Sequence, residues 1–263
     1  MIDKYWLNIN IPCLHRLHAS IPKSGAHKIQ ASLGMNYSLD ALRSSLKSLA
    51  KYIYKENIRT RSDKKAILSF DDGHRDILFA IPIIKEYPEI QPVLFITGNL
   101  MNGDTRALPL TALYKWCADN KRHPNSLREI FDFDRKSLKL LPEKKQRQAL
   151  EKEGIDVNPS SERMVSQDDI DMLLKNGWLI GYHGPEHFDL CRMGFSELKK
   201  QMQADLKLIK NLGYVPWLAW PEGSWNDKIV KAADDIGFKL QFGLDVVKIA
   251  GTNSLIINRV LWK

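Results

Sequence analysis

The chain contains 263 residues, of which 44% are hydrophobic and 27% are charged. That balance is typical of a folded globular protein and excludes disordered, collagen-like and disulfide-rich classes. No apolar run reaches the roughly 18 residues that a membrane span requires, and the first residues lack the features of a signal peptide. The three cysteines are widely spaced, as in proteins of a reducing compartment. We therefore expect a cytoplasmic protein.

Positive charge is concentrated in one part of the chain. The formal net charge is +8, and residues 1–65, with 12 basic and 4 acidic residues, hold all of this excess. Such a surface favours peripheral contact with anionic lipid at the inner face of a membrane. The alternative is a solvated helix face, which is the more common origin of such a charge run, since four basic residues follow one another at four-residue spacing, namely Arg43, Lys47, Lys51 and Lys55. Nucleic acid is not expected as a partner, because no nucleic-acid-binding motif accompanies the charge.

Short apolar runs alternate with helical periodicity along the chain. Strands are predicted at residues 9–14, 66–70, 93–97, 178–182 and 216–220. Helices are predicted after the N-cap candidate Ser38, around residues 77–84, and at 196–212 and 226–236. Strands that alternate with helices predict an α/β fold with a parallel sheet or barrel.

Residues 99–163 interrupt this alternation. They are helical in pattern and rich in charge, as in Glu143-Lys144-Lys145-Gln146-Arg147. A structureless loop of that length would be unusual in a compact domain. We interpret the segment as a helical insertion, a lid or a partner surface, within a single domain that spans residues 1–263.

Two groups of polar residues follow predicted strands. Asp71 and Asp72 come directly after one strand, and adjacent ionised carboxylates are best held by a cation. His183 and His187 follow a later strand, and two imidazoles with one carboxylate form a common catalytic zinc site. Taken alone, the aspartates also fit a helix cap in a turn, and the histidines also fit an exposed pair or a helix cap. Because active sites of parallel α/β folds lie at the carboxyl ends of strands, the two groups together predict a metal site.

These residues resemble the motifs of a known family. Ser69-Phe70-Asp71-Asp72-Gly73 resembles the first motif of the NodB-type polysaccharide deacetylases, carbohydrate esterase family four. Residues 183–187 resemble the second motif of that family, and residues 218–223 resemble a third. The resemblance implies a distorted (β/α) barrel of about seven strands, one divalent metal ion, most often zinc, and hydrolysis of acyl groups on sugars.

The resemblance also implies a role for each matching residue. Asp71 matches the general base of the family, whereas Asp72, His183 and His187 match its metal ligands. Substrate contacts are expected close to these motifs, from Trp220, Pro221 and His74. Large apolar residues at a strand end also pack in cores, so a core position for Trp220 is the alternative.

Three departures from the family pattern are visible. Gly184 stands where the second motif has serine or threonine, and Ala219 stands where many members have an arginine that contacts the base. The C-terminal residues 257–263 lack the Leu-x-His motif that carries the general acid. Asp71 therefore needs another orienting partner, and the acid has to come from elsewhere in the chain.

The N-terminal part offers a replacement acid. Leu14-His15-Arg16-Leu17 resembles the Tyr-His-x-Val segment of the exopolysaccharide branch, in which that histidine takes the acid role. His15 would directly follow the first predicted strand, and histidine is the side chain whose ordinary pKa suits proton transfer near neutral pH. We expect it on the side of the metal site opposite Asp71. His18 and His74 are the alternatives.

Together, the residues and the resemblance predict a metal-dependent hydrolase of the amide bonds of acylated sugars. The favoured activity is N-deacetylation of a sugar or glycan, such as a lipid-linked one, in surface-polysaccharide or lipopolysaccharide biosynthesis. A sugar N-deformylase or an O-acetyl esterase of the same fold is one alternative. A non-catalytic module that binds glycan or acts as a scaffold is another, and the three departures favour it.

Overall fold

The computed structural model describes residues 11–20, 25–32, 35–55, 66–244 and 256–261. Within these ranges, seven parallel strands close a barrel. Their order around the barrel is β1 (Ile11–Leu14), β4 (Ala66–Phe70), β5 (Ile90–Ile96), β6 (Leu179–Tyr182), β7 (Trp217–Ala219), β8 (Leu240–Leu244) and β9 (Ile256–Leu261). Two short strands, β2 (Arg16–His18) and β3 (Asn36–Ser38), pair with each other outside it. The predicted α/β fold with a distorted barrel of about seven strands is confirmed.

Ten α-helices are present in the described ranges. They are α1 (Gly25–Ser32), α2 (Leu39–Lys55), α3 (Ala80–Ile84), α4 (Gly98–Met101), α5 (Pro109–Asp119), α6 (Arg135–Leu138), α7 (Glu143–Lys152), α8 (Gln167–Lys175), α9 (Phe195–Asn211) and α10 (Asp227–Ile236). Short 3-10 helices cover Arg75–Phe79, Leu127–Glu129, Leu190–Arg192 and Pro221–Gly223. None of the helices in these ranges combines the length and the apolar character needed to cross a membrane.

Helix α2 shows why the apolar spacing of the sequence produces this architecture. Leu42 and Leu46 lie one turn apart and are fully buried against the barrel. Burying a leucine side chain stabilises the fold by about 1.5–3 kcal/mol, so the two fix which face of α2 points inward. Arg43, Lys47 and Lys51 then lie on the exposed face, while the side chain of Lys55 is outside the described part of the structure.

The chain between β5 and β6 builds an apolar cluster separate from the barrel core. Helices α5, α6 and α7 contribute buried residues to it, among them Leu113, Cys117, Leu138 and Leu150. This local core packs α6 and α7 against α5. That residues 99–163 are an insertion into a single domain stays a prediction.

Some element bounds differ from the sequence prediction. The helix expected around residues 77–84 is divided into a 3-10 turn, Arg75–Phe79, and α3. Pro82 lacks the N–H that would bond the carbonyl four residues earlier, so a single α-helix cannot run through the segment. Strands β8 and β9 were not predicted. Residues 9 and 10 of the first predicted strand lie outside the described residues.

Candidate active site

Pairing of β1 with β4 brings His15 and Asp71 together. The two strands are parallel with Leu14 opposite Phe70, and the N–H of Asp71 donates to the carbonyl oxygen of Leu14 at 2.9 Å. His15 and Asp71 are the next residues along each strand, so both leave the barrel at the same end. The residues that end β6 and β7 lie at that end as well, because all the strands are parallel.

A tight turn places the two aspartates. Asp72 has φ 74° and Gly73 has φ 86°, both in the left-handed region that residues with a side chain rarely adopt. A Cβ on Gly73 would lie 2.6 Å from Cδ2 of Leu100, so only glycine fits there. A left-handed backbone at a residue such as Asp72 costs about 1–3 kcal/mol and is typical of functional sites. The turn leaves both carboxylates almost fully buried at the end of the barrel.

Two imidazoles from the loop after β6 meet the second aspartate. Nε2 of His183 lies 3.4 Å, and Nε2 of His187 lies 3.1 Å, from Oδ1 of Asp72. Nδ1 of His183 is 2.8 Å from the carbonyl oxygen of Ala219. A carbonyl oxygen can only accept a hydrogen bond, so this contact needs the proton on Nδ1 and leaves Nε2 as the nitrogen that the neutral ring can offer to a metal. His183 is thereby oriented as a ligand toward Asp72.

This cluster fits a divalent cation. One ligand atom from each of Asp72, His183 and His187 lies within 4.8 Å of the others. Both carboxylate oxygens of Asp72 are buried, and the imidazole nitrogens beside them make no hydrogen bond of good geometry to them, which is costly without a cation. Burial lowers the pKa of His187, but the Asp72 carboxylate outweighs it and raises that pKa to about 9. The site therefore attracts positive charge, and its donor set of two imidazoles and one carboxylate suits zinc.

The first aspartate has a different partner. Nη1 and Nη2 of Arg259 donate to Oδ1 and Oδ2 of Asp71 at 2.6 and 2.8 Å. Arg259 lies on β9, is fully buried, and also donates to the hydroxyl of Ser69 and the carbonyl of Gly243. Burial by itself raises the pKa of Asp71, but Arg259 and His183 outweigh it and lower that pKa to about 2. Asp71 is therefore ionised, and its carboxylate is fixed by a two-pronged hydrogen bond.

A cavity of about 360 Å³ opens over both groups. Its floor includes His15, the two aspartates and the two histidines, which all come from barrel strand ends. Its roof comes from the segment between β5 and β6, with Thr111, Tyr114, Arg135, Lys139 and Gln146 on the wall. The volume lies in the range of small-molecule pockets. The arrangement thus places a cation site and a fixed carboxylate at the base of a pocket.

Comparison with known proteins identifies this arrangement. The family model for polysaccharide deacetylase matches residues 58–241, which is more than half of the chain. The chain belongs to the polysaccharide deacetylase family. Membership supports a hydrolase that acts on acetylated sugars, and it confirms the family that the sequence motifs resemble. No curated protein matches the chain by sequence.

Solved structures share the fold of this polysaccharide deacetylase. The deacetylase PplD of Streptococcus pyogenes, solved in complex with acetate, has 17% sequence identity and a TM-score of 0.53. That match covers 97% of this chain and 92% of PplD. IcaB of Ammonifex degensii has 13% identity and a TM-score of 0.52, with coverage of 97% and 91%. At these identities the likeness shows the barrel fold alone.

The structure explains two departures of this polysaccharide deacetylase from the family pattern. Gly184 has φ 80°, and a Cβ there would lie 3.0 Å from side-chain atoms of Leu190 and Pro221, so glycine suits this loop. The orienting arginine missing at Ala219 is replaced by Arg259, which contacts Asp71 from β9. Arg259 was not predicted from the sequence. Its signal was the single charged residue in the mostly apolar stretch Ile256–Leu261.

The substrate contacts predicted from the third motif need correction. Trp220 is fully buried, and its Nε1 donates to Oε1 of Gln241 at 3.2 Å, so no face of the indole is open to a sugar. Pro221 is also buried, and neither residue lines the cavity. Both belong to the core, as expected of apolar residues after a strand. His74 does line the cavity, with Nε2 3.7 Å from Oδ2 of Asp72.

His15 lines the cavity but not where it was expected. One of its ring nitrogens lies within 4.8 Å of both an Asp71 oxygen and Sγ of Cys13. Because β1 and β4 are neighbours, His15 is beside Asp71 rather than across the site from it. His18 is not on the cavity wall; its ring packs against that of His27, with centroids 4.7 Å apart.

Proposed function

We propose that this polysaccharide deacetylase is a metal-dependent N-deacetylase of a sugar in surface-polysaccharide or lipopolysaccharide biosynthesis. The observation that carries the proposal is the cluster of Asp72, His183 and His187 beside an ionised Asp71, at the base of a pocket. Asp72, His183 and His187 would hold the ion, with zinc the best match to their donor atoms. When bound, a divalent ion would polarise the acyl carbonyl and raise the acidity of the attacking water.

The base in this proposal is Asp71. Its carboxylate accepts a proton from the water that attacks the acyl carbon. A carboxylate with a pKa of about 2 is a weak base, so it depends on a water whose acidity is raised. Arg259 fixes the direction of both oxygens and keeps the group ionised, which leaves Asp71 ready to accept at neutral pH.

The acid in this proposal is His15. When the carbon–nitrogen bond breaks, the nitrogen of the sugar has to gain a proton to leave as an amine. His15 lines the same pocket and would donate that proton, which yields the free amine and acetate. Its position beside Asp71 places proton removal and proton donation at neighbouring points of the pocket.

The substrate of the proposal is an acylated sugar made at the cytoplasmic face of the membrane, such as a lipid-linked precursor. An N-deformylase or O-acetyl esterase would use the same residues, so the acyl group has to be identified by experiment. Two of the three departures that favour the non-catalytic alternative have a structural counterpart, because Arg259 contacts Asp71 and glycine fits the loop at Gly184.

The test is mass spectrometry of the cell-surface glycans from a strain in which this protein is deleted. The proposal expects a sugar that keeps an N-acetyl group where the parent strain has a free amine. A retained formyl or O-acetyl group would replace the N-deacetylase assignment by one of its alternatives. Complementation with Asp71→Asn should fail to restore the free amine, whereas a scaffold role would allow it to succeed.

A further inference from the structure

We propose that the roof of the cavity binds an anionic group, a phosphate or a carboxylate, carried by the acylated sugar, and that Arg135 is its main contact. This inference rests on the proposed function, because it concerns the substrate of the same pocket. It names a chemical property of the substrate that the barrel residues do not determine.

Arg135 is held in place without being neutralised. Its Nε donates to the hydroxyl of Tyr114 at 2.8 Å, and Tyr114 is only 1% exposed. Within the described residues, no carboxylate lies within ion-pair distance of Arg135, and its two terminal nitrogens make no hydrogen bond. A guanidinium on a cavity wall, fixed through Nε and with both terminal nitrogens unpaired, suits a carboxylate or a phosphate.

The three buried arginines of the described structure are paired within the protein, whereas Arg135 is half-buried. Arg16 contacts Asp76 and Glu162, Arg147 contacts Glu143, and Arg259 contacts Asp71. These are pairs within the protein, as expected because an unpaired buried charge is costly. Arg135 differs from them in facing a cavity and having only a neutral partner.

The charge balance of the cavity wall leads to the same conclusion. Arg259 neutralises Asp71, and the amino group of Lys139 forms an ion pair with the carboxylate of Glu222. Asp72 faces the histidines and a cation site. Among the described residues of the wall, Arg135 is therefore a cation that no carboxylate pairs with. Lys139, four residues further along the chain, also lines the cavity, but its amino group is engaged by Glu222.

The dimensions of the pocket link the anion to the reacting sugar. A cavity of about 360 Å³ has His15 and the aspartates on its floor and Arg135 with Lys139 on its roof. It is small enough that one sugar with one substituent would contact both ends. The anionic group and the acyl group are thus expected on the same sugar or on directly linked groups.

The test is isothermal titration calorimetry of the zinc-loaded protein with three probes. The neutral probe is methyl N-acetylglucosaminide, and the anionic probes are N-acetylglucosamine 1-phosphate and N-acetylglucosaminuronic acid. We expect at least one anionic probe to bind about 10- to 100-fold more tightly than the neutral one, as a charge-assisted pair would give. The tighter of the two shows whether the site prefers phosphate or carboxylate. Equal affinity for all three overturns the proposal.

Variants assign the preference to Arg135. Arg135→Gln should remove most of the difference in affinity between the anionic and neutral probes, whereas Lys136→Gln, at an exposed position of the same helix, should keep that difference. An unchanged preference in Arg135→Gln overturns the assignment. Arg135→Lys keeps the positive charge but loses the forked donors, so it should show a reduced preference for the anionic probes. If Arg135→Gln does not fold, an unchanged preference in Arg135→Lys overturns the assignment to Arg135.

The outcomes separate this inference from the proposed function. Acetyl release from the neutral sugar with no preference for anions would overturn the anion site alone. A preference for anions that depends on Arg135, without acyl release from any probe, would overturn the proposed function alone. A further control repeats the titration after the metal has been removed with a chelator. If Arg135→Gln still weakens binding of the anionic probe, the anion does not bind directly to the metal ion.

Discussion

Arg259 and Asp71 form a buried pair joined by two hydrogen bonds of 2.6 and 2.8 Å, although they lie 188 residues apart in the chain. Asp71 directly follows β4 and Arg259 lies on β9, and β1 separates these two strands in the barrel. Closure of the barrel therefore brings the arginine to the carboxylate. The pair connects the last described strand of the fold to the proposed base.

The first prediction concerns the stability that this pair provides. Arg259→Met should lower the free energy of unfolding by about 3–5 kcal/mol, because it leaves the Asp71 charge buried without a partner. The double variant with Asp71→Asn should lose less than the sum of the two single losses, by at least about 1 kcal/mol. Urea denaturation of the four proteins measures this coupling. Strictly additive losses would show that the two residues do not stabilise each other.

The second prediction is the pH dependence of the same contribution. The folded-state pKa of Asp71, about 2, lies below the ordinary value of 3.8. The stabilisation from ionised Asp71 is therefore fully present above about pH 4 and is lost as the pH falls through 2. The stability difference between wild type and Asp71→Asn should shrink by up to about 2 kcal/mol from pH 5 to pH 2. A difference that stays constant over this range would contradict the lowered pKa.

The parts of the site that come from residues close together in the chain were predicted from the sequence. Asp71 and Asp72 follow one strand, and His183 and His187 share one loop, so their convergence needs only that the strands be parallel. Arg259 could not be placed in this way, because its contact with Asp71 depends on how the barrel closes through β9. The unpredicted strands β8 and β9 are the part of the fold that creates this contact.

Trp220 is a residue whose position the sequence leaves undecided. An aromatic residue directly after a strand suits both a sugar contact and the core, and the sequence alone does not choose between them. The choice is made by Gln241 on β8, whose side-chain oxygen accepts from the indole N–H and whose amide donates to the carbonyls of Val230 and Phe238. Only the folded structure shows this partner.

The third prediction concerns His15 as the general acid. His15→Ala should lower the rate of acetyl release by about 10²–10⁴-fold while the protein keeps its metal, because general acid catalysis supplies a factor of that size. His18→Ala is the matched control, since His18 is near in the chain but not on the cavity wall. Rates should be measured together with zinc content. A rate within a few-fold of wild type in His15→Ala would make His74, which lines the same cavity, the next candidate.

The fourth prediction concerns the basic face of α2. If this face binds anionic lipid, replacing Lys47, Lys51 and Lys55 by glutamine should weaken sedimentation with phosphatidylserine vesicles and reduce its dependence on salt. The control replaces three lysines on α9, namely Lys200, Lys207 and Lys210. Equal vesicle binding by the wild type and both variants would leave the α2 face as a solvated surface.

The most direct test of the account is acetate release from an N-acetylated sugar, measured on the same samples as zinc content. The wild type should bind one zinc ion per chain and release acetate. Removal of the metal should abolish release, and its return should restore it. Asp72→Ala and His183→Ala should lose both metal and activity, whereas His27→Ala, a histidine away from the cavity wall, should keep both. A wild-type protein that releases acetate equally well without metal, or Asp72→Ala with full zinc occupancy, would contradict the account.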